Sequence, residues 1–451
     1  MDVELLARIQ FAVTAGFHFL YPPMSIGLGL VLVFMKGMHL KTQDAKWDIL
    51  SKFWTKIFAL TFAVGVVTGI VLEFEFGTNW SEYSRVVGDV FGSPLAAEAL
   101  FAFFMESFFL GVLLFGWNRV SPKVHFFSTI MVALGATLSA FMIIVANSWM
   151  QTPAGYKLIT EMKDGVEVLV RAEIIDFWAM VFNPSTIERY THVVGASWIT
   201  GAFMVLGISA YYILKNKYVE YAKMSIKVAL PIAIIVSLLQ LFTGHASAIG
   251  VTKNQPAKLA AFEGHYNTGP GTLWLMGYVD EESQEVKGIG IPGMLSFLVD
   301  FNTETPIKGL NEYKPEDRPP VQLTFQSYHI MVALGMSMIG ILLLAGFLYW
   351  RGKLFDTKWM MYLFMAGIFM PHISNLTGWI AAEVGRQPWV VQDILRTKDA
   401  ISKVVTAEQV WFSLIMFTVV YTILLGLFVF LLVKKVKHGP EAAAAELPGT
   451  V

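Results

Sequence analysis

The chain has 451 residues, of which 55% are hydrophobic and only 15% charged, with 35 Phe, 13 Trp and a mean hydropathy of +0.57. That combination excludes an ordinary soluble domain and marks a polytopic membrane protein. A formal net charge of −1 gives no argument for nucleic acid, and the lack of Cys excludes disulfides, iron–sulfur clusters and thiolate ligands.

Residues 1–8 carry acids and no Ala-x-Ala site, so no removable signal peptide is expected. Apolar stretches able to cross about 30 Å of hydrocarbon fall near 10–35, 54–76, 95–117, 126–148, 186–213, 228–248, 321–349, 359–382 and 408–433. They predict an all-α bundle of about nine transmembrane helices. Basic residues gather in alternate connections: Lys36, Lys41, Lys46, Lys52 and Lys56 in the first, Arg119 and Lys123 in the third, Lys215, Lys217, Lys223 and Lys227 in the fifth. Arg351, Lys353 and Lys358 lie in the seventh, and Lys434, Lys435 and Lys437 follow the last helix. By the positive-inside rule these ends are cytoplasmic, so the N-terminus is outside and the C-terminus inside. The expected organisation is six helices in 1–248, an extracytoplasmic loop in 249–320, three helices in 321–438 and a disordered cytoplasmic Ala/Glu tail in 439–451.

A shorter outside connection covers about 150–185. The 249–320 loop is long, holds Pro, Gly and mixed charges, and has no nucleotide-binding glycine pattern. Its length suggests a working loop, whereas its composition alone fits a plain linker.

Ionisable side chains within spans cost several kcal/mol unless paired, and so point to function. With the orientation fixed, His18, Glu98, His192, His329, Met331 and Glu383 all fall in the outer half of the membrane. Lone His residues in spans are usually helix–helix hydrogen bonders, yet ligand types from five helices converge on one depth. Imidazole, thioether and carboxylate without thiolate suit haem better than zinc. A His/Met pair makes a six-coordinate, electron-transferring haem; a single axial ligand leaves an iron face open. For the low-spin site His329 rivals Met331, because residues two apart on a helix point about 200° apart and cannot both face one iron. In GWIAAEVGRQPW (378–389) Glu383 and Arg386 either face an interior site or form an ion pair at the lipid headgroups. Glu106, about two turns below Glu98, could line a proton path with Ser139, although a small residue there also suits close helix packing.

These residues resemble subunit I of the cytochrome bd quinol oxidases over nearly the whole chain. The resemblance is carried by GWIAAEVGRQPW, LEFEFGTNW (72–80), FGSPLAAEALFAFFMES (91–107) and ANSWMQTP (146–153), with HFLYPP (18–23), THVVGASWITGA (191–202) and HIMVALG (329–335) as ligand-bearing stretches. It implies three haems: a low-spin haem b held by His192 and Met331, and a high-spin haem b and haem d whose axial ligands are His18 and Glu383, with Glu98 nearby. It further implies Trp379 among the haems, Arg386 against a propionate or acid, and quinol contacts from Lys258 and Glu263 in the outer loop. The reaction would be quinol oxidation with oxygen reduced to water, contributing to the proton gradient without pumping, with protons taken from the cytoplasm through Glu106. The partners implied are subunit II, membrane quinol, oxygen and the lipid bilayer, with a small single-helix subunit in some assemblies. The location is a bacterial or archaeal cytoplasmic membrane. The loop is that of the short-loop members. His329 stands where some members have Arg, and Leu376 where some have an acid, so a propionate contact by His329 is open. Two other classes compete: an ion transporter, which would show inverted repeats or discontinuous helices, although no repeat is detected, and a quinone reductase subunit with haem b alone.

Overall fold

The structure is a computed structural model and describes residues 2–445. Its helices in chain order are α1 (Val3–His18), α2 (Pro22–Thr42), α3 (Ala45–Gly77), α4 (Ser81–Ala97), α5 (Phe104–Phe115) and α6 (Pro122–Gln151), with a π-helical turn at Glu98–Phe103 between α4 and α5. A hairpin of β1 (Tyr156–Lys163) and β2 (Val166–Ile174) leads through α7 (Phe177–Val181) to α8 (Thr186–Leu214) and α9 (Val219–Asn254). The long loop holds α10 (Pro256–Phe262), β3 (Gly269–Pro270), β4 (Leu273–Asp280), β5 (Glu285–Ile291), α11 (Met294–Asp300) and β6 (Pro306–Ile307). There follow α12 (Val321–Trp350), α13 (Lys358–Gly367), α14 (Phe369–Val384), β7 (Trp389–Val391), β8 (Leu395–Arg396) and α15 (Ala407–Ala445). The chain is thus mostly helical, but four two-stranded antiparallel sheets, absent from the all-α expectation, lie in its connections.

Among the described residues eight helical stretches are long and apolar enough to cross a membrane. The expected span 359–382 is not one continuous helix, because α13 and α14 part at Ile368. Pro371 has no N–H for the carbonyl of Gly367, where α13 stops. The expected span 10–35 is broken for the same reason: Pro22 cannot donate to His18, so α1 ends there and the His18 carbonyl accepts from Tyr21 instead at 3.1 Å. The third span begins at Ser81 rather than near 95, and the π-helical turn interrupts it at Glu98. Helices such as α3, with 33 residues, would run about 50 Å and project beyond the hydrocarbon. Of the tail expected to be disordered, residues 440–445 are helical after the backbone leaves helical geometry at Gly439, φ 81°, and 446–451 lie outside the described residues.

Contacts group the helix ends into two sets. Lys46 pairs with Glu220, the Tyr212 hydroxyl donates to Val436 O at 2.7 Å, and Lys223 lies 5.2 Å from the Phe355 ring. These ends carry the basic connections. At the other end Tyr83 N–H donates to Ala400 O, Gln392 N–H to Met150 O and Ser402 N–H to Asn79 O, each at 2.9 Å. The core lies where α2, α3, α8, α9 and α13 pack around Leu28, Trp54, Phe203, Leu206 and Phe364. α2 and α8 touch backbone to backbone: a Cβ on Gly27 would fall 2.4 Å from Ser197 O. By contrast α15 turns Phe412, Ile415, Val419 and Ile423 outward, all more than half exposed, as a lipid-facing helix does.

Candidate functional site

The site is built where helices stop or bend. A cavity of about 380 Å³, within the size range of cofactor pockets, is lined by His192 of α8, Met331 of α12, Gly378 and Trp379 of α14, Arg189, Gln151 and the loop residue Lys258. His192 and Met331 thus reach one space from different helices. The Met331 sulfur lies against the bare face of Gly378, where a Cβ would come within 2.8 Å of it. His329 does not line this cavity. Its Nδ1 lies 2.8 Å from Phe325 O and its Nε2 2.9 Å from Trp274 O, with the Glu263 carboxyl 3.8 Å away. The helical twist that made His329 and Met331 rivals therefore turns His329 to the loop and Met331 to the cavity.

Around the cavity stands a buried polar network. Glu383 accepts from Asn147 Nδ2 at 3.2 Å and Gln151 Nε2 at 3.1 Å, is paired with Arg386, and lies 4.0 Å from Arg189. Within the pair the Arg386 side chain is buried, 3% exposed, while the Glu383 side chain is 32% exposed. Arg189 also donates to Asn147 Oδ1 at 2.5 Å and stands 5.9 Å from the Trp379 ring, while Trp379 meets Phe19 edge to face at 5.3 Å. Arg386 Nε and Nη1 are buried without a hydrogen-bond partner, an arrangement that calls for a further anion.

Lys258 and Glu263 are both buried, 4% and 1% exposed, which overturns the plain solvated linker for this part of the loop. Five residues apart, they leave α10 in different directions. Lys258 donates to Gln151 Oε1 and to Gln255 Oε1, the latter at 2.8 Å. Glu263 Oε2 accepts from Trp274 N–H at 3.2 Å, and its Oε1 is buried without a partner. Burial, then the Arg386 and Arg189 cations, holds Lys258 well below the usual lysine range. Burial pushes the Glu263 carboxyl up to about 8, opposed by the Trp274 N–H. Beside them Phe262 stacks on Tyr328 with centroids 4.4 Å apart.

His18 ends α1, with Nδ1 2.9 Å from Thr68 Oγ1. Glu98, at the start of the π-helical turn, accepts from the Ser139 hydroxyl at 2.7 Å, so Ser139 makes a polar contact rather than merely permitting close packing. One turn along α6, a Cβ on Gly135 would fall 2.9 Å from Glu106 Cβ, placing buried Glu106 on the same face of α6. Among the described residues no three His, Asp or Glu side chains converge to hold a bare metal ion.

These residues fit haem. The cavity offers an imidazole, a thioether and a glycine face that a side chain would fill, and Arg386, which pairs with Glu383 and does not itself line the cavity, keeps an unsatisfied buried guanidinium suited to a propionate. Sequence reasoning missed Asn147, Gln151 and Arg189 as site residues. Arg189 carried a signal, a cation inside a span one helical turn before His192; the two amides lie inside ANSWMQTP, one of the blocks that carry the resemblance, but neutral polar residues are common in membrane helices and their chemistry alone did not single them out.

Comparison with known proteins agrees with this geometry. The family model for cytochrome bd terminal oxidase subunit I matches residues 6–440. The chain is 41% identical to the cytochrome bd ubiquinol oxidase subunit 1 of Bacillus subtilis (strain 168), over 98% of this chain and 95% of that protein. It is 33% identical to the cytochrome bd-II ubiquinol oxidase subunit 1 of Escherichia coli (strain K12), over 99% of each. Among solved structures, the bd oxidase from Geobacillus thermodenitrificans superposes with a TM-score of 0.88 at 30% identity, covering 97% of this chain and 99% of that one. The chain belongs to the cytochrome bd terminal oxidase subunit I family.

Proposed function

We propose that this chain is the subunit of a quinol:oxygen oxidoreductase that takes electrons from membrane quinol and delivers them to oxygen. Family membership supports haem, the pairing with a subunit II and a multi-pass place in a bacterial membrane. The finer reading is ours. The interrupted α13–α14 segment is the ninth span, the basic ends are cytoplasmic, and the loop is of the short type.

The observation that carries the reading is that Lys258, from the outer loop, lines the same cavity as His192 and Met331. A quinol held at the loop would thus stand beside the first electron acceptor. His192 and Met331 would hold a low-spin haem b; His18 and Glu383 would each hold one of a high-spin pair, haem b and haem d, with Glu98 and Trp379 beside them and Arg386 against a propionate. When bound, the haems supply electron transfer and the oxygen-reducing centre.

The chain's own residues do the rest. Glu263, with one buried carboxyl oxygen left without a partner, accepts the quinol proton. Lys258, held beside Gln151 and Gln255, steadies the oxygen from which that proton leaves. Protons taken up from the cytoplasm pass through Glu106 to the Ser139–Glu98 contact in the outer half of the membrane. Because quinol protons leave outside and the consumed protons come from inside, a membrane potential forms without a pump. A small single-helix subunit completes the assembly.

The test is Glu383→Ala in the purified complex. Loss of one high-spin haem with loss of quinol-driven oxygen uptake is expected. Full haem content with normal turnover would show that Glu383 is only the partner of Arg386.

A further inference from the structure

Both candidate histidine ligands sit on the same dipeptide. His18 faces Thr68-Gly69 of α3 and His192 faces Thr243-Gly244 of α9. At each, the imidazole Nδ1 is within hydrogen-bond distance of the threonine Oγ1, 2.9 Å for His18 and 3.1 Å for His192. At each, the ring edge lies over the glycine: a Cβ on Gly69 would be 3.3 Å from His18 Cε1, and one on Gly244 3.4 Å from His192 Cε1.

The hydroxyl protons decide the tautomer. Thr68 Oγ1 donates to its own helix, at 2.9 Å from Val64 O and 3.1 Å from Gly65 O. Thr243 Oγ1 donates to Gln240 Oε1 at 2.7 Å, and Gln240 Nε2 donates in turn to His192 O at 2.9 Å. A hydroxyl has one proton, so each threonine that donates elsewhere must accept from the imidazole. Nδ1 then carries the ring proton, and Nε2 presents its lone pair.

We propose that Thr68-Gly69 and Thr243-Gly244 are built seats for axial histidines, in which the hydroxyl fixes the ring's tautomer and the ring edge packs on the glycine. The inference rests on the reading of His18 and His192 as haem ligands and adds Thr68, Thr243 and Gln240 as positioning residues. The two seats differ in one respect. Thr68 is anchored on main chain, whereas Thr243 is anchored on a side-chain amide that closes a ring back to His192. An Nδ1–H that donates to an acceptor makes the imidazole a stronger donor to oxidised iron and so lowers the potential of that haem.

The experiment is a spectroelectrochemical titration of the intact oxidase carrying Thr243→Val, which keeps the shape and removes the hydroxyl, alongside Thr243→Ser, Thr68→Val and His192→Ala. Thr243→Val should raise the midpoint potential of the low-spin haem alone, Thr243→Ser should restore it, and Thr68→Val should shift one high-spin haem alone. Loss of the low-spin haem in Thr243→Val, with Thr243→Ser retaining it at the wild-type potential, supports the proposal equally. An unchanged potential in Thr243→Val, or the same loss in both Val and Ser variants, overturns it. His192→Ala separates the underlying reading: if the low-spin signal survives there, His192 is not the ligand, whatever the threonine does.

Discussion

Lys258 and Gln151 are joined by a hydrogen bond from the loop amine to the amide oxygen, across 107 residues of sequence, while the same amide's nitrogen donates to Glu383 at 3.1 Å. One neutral side chain therefore links the outer loop to the acid that closes the eighth segment. Gln151→Leu would leave a buried amine and a buried carboxylate each short of a partner, and each such loss costs about 1–3 kcal/mol. A lower thermal unfolding temperature with weakened quinol oxidation is expected; unchanged stability would mean that the bridge is replaced by other groups.

Removal of either loop side chain separates binding from oxygen chemistry. Lys258→Ala or Glu263→Gln should raise the apparent KM for quinol or slow its oxidation, while oxygen reduction by an artificial donor that bypasses the loop stays intact. If both activities fall together, the two residues serve folding or haem retention. No change in either would place quinol elsewhere.

A pH profile follows from Glu263. Burial raises its carboxyl to about 8, so below that pH the group is protonated and cannot accept a proton, and above it the carboxylate form dominates. The turnover of quinol oxidation should therefore climb between pH 6 and 9 with a midpoint near 8, and Glu263→Gln should lose that rise. A profile with the same rise in the variant would assign the titration to another group.

Much of this was legible in sequence, and the physical reason varies by feature. The spans and the grouping of their basic ends followed from hydropathy and charge, which act over whole helices. The breaks at His18 and Ile368 were written in Pro22 and Pro371 but are invisible to a hydropathy window, which scores proline's side chain and not its missing N–H. The choice between His329 and Met331 depended on rotation about α12. Periodicity showed that they diverge, but only the packing of Gly378 against the Met331 sulfur shows which one enters the cavity. The π-helical turn at Glu98 and the Gln151 bridge had no local signature, since both are set by contacts far apart in the chain.

The close crossing of α2 and α8 gives a test of the scaffold apart from the chemistry. A Cβ at Gly27 meets backbone atoms of Ser197 and Gly201 at 2.4 and 2.6 Å, and backbone cannot step aside as a side-chain end can. Gly27→Ala should destabilise the bundle by about 1–3 kcal/mol, seen as a lower unfolding temperature in detergent. Wild-type stability would mean that the helices are not in contact there.

Haem in the cavity shared by His192, Met331 and Lys258 is to be sought in a reduced-minus-oxidised absorption spectrum of the purified protein, wild type beside Met331→Leu and His329→Ala. Bands of haem b together with a chlorin band are expected in the wild type, with the low-spin haem b signal lost or shifted in Met331→Leu and intact in His329→Ala. A protein without haem, or a low-spin signal that survives Met331→Leu and vanishes in His329→Ala, would contradict this assignment.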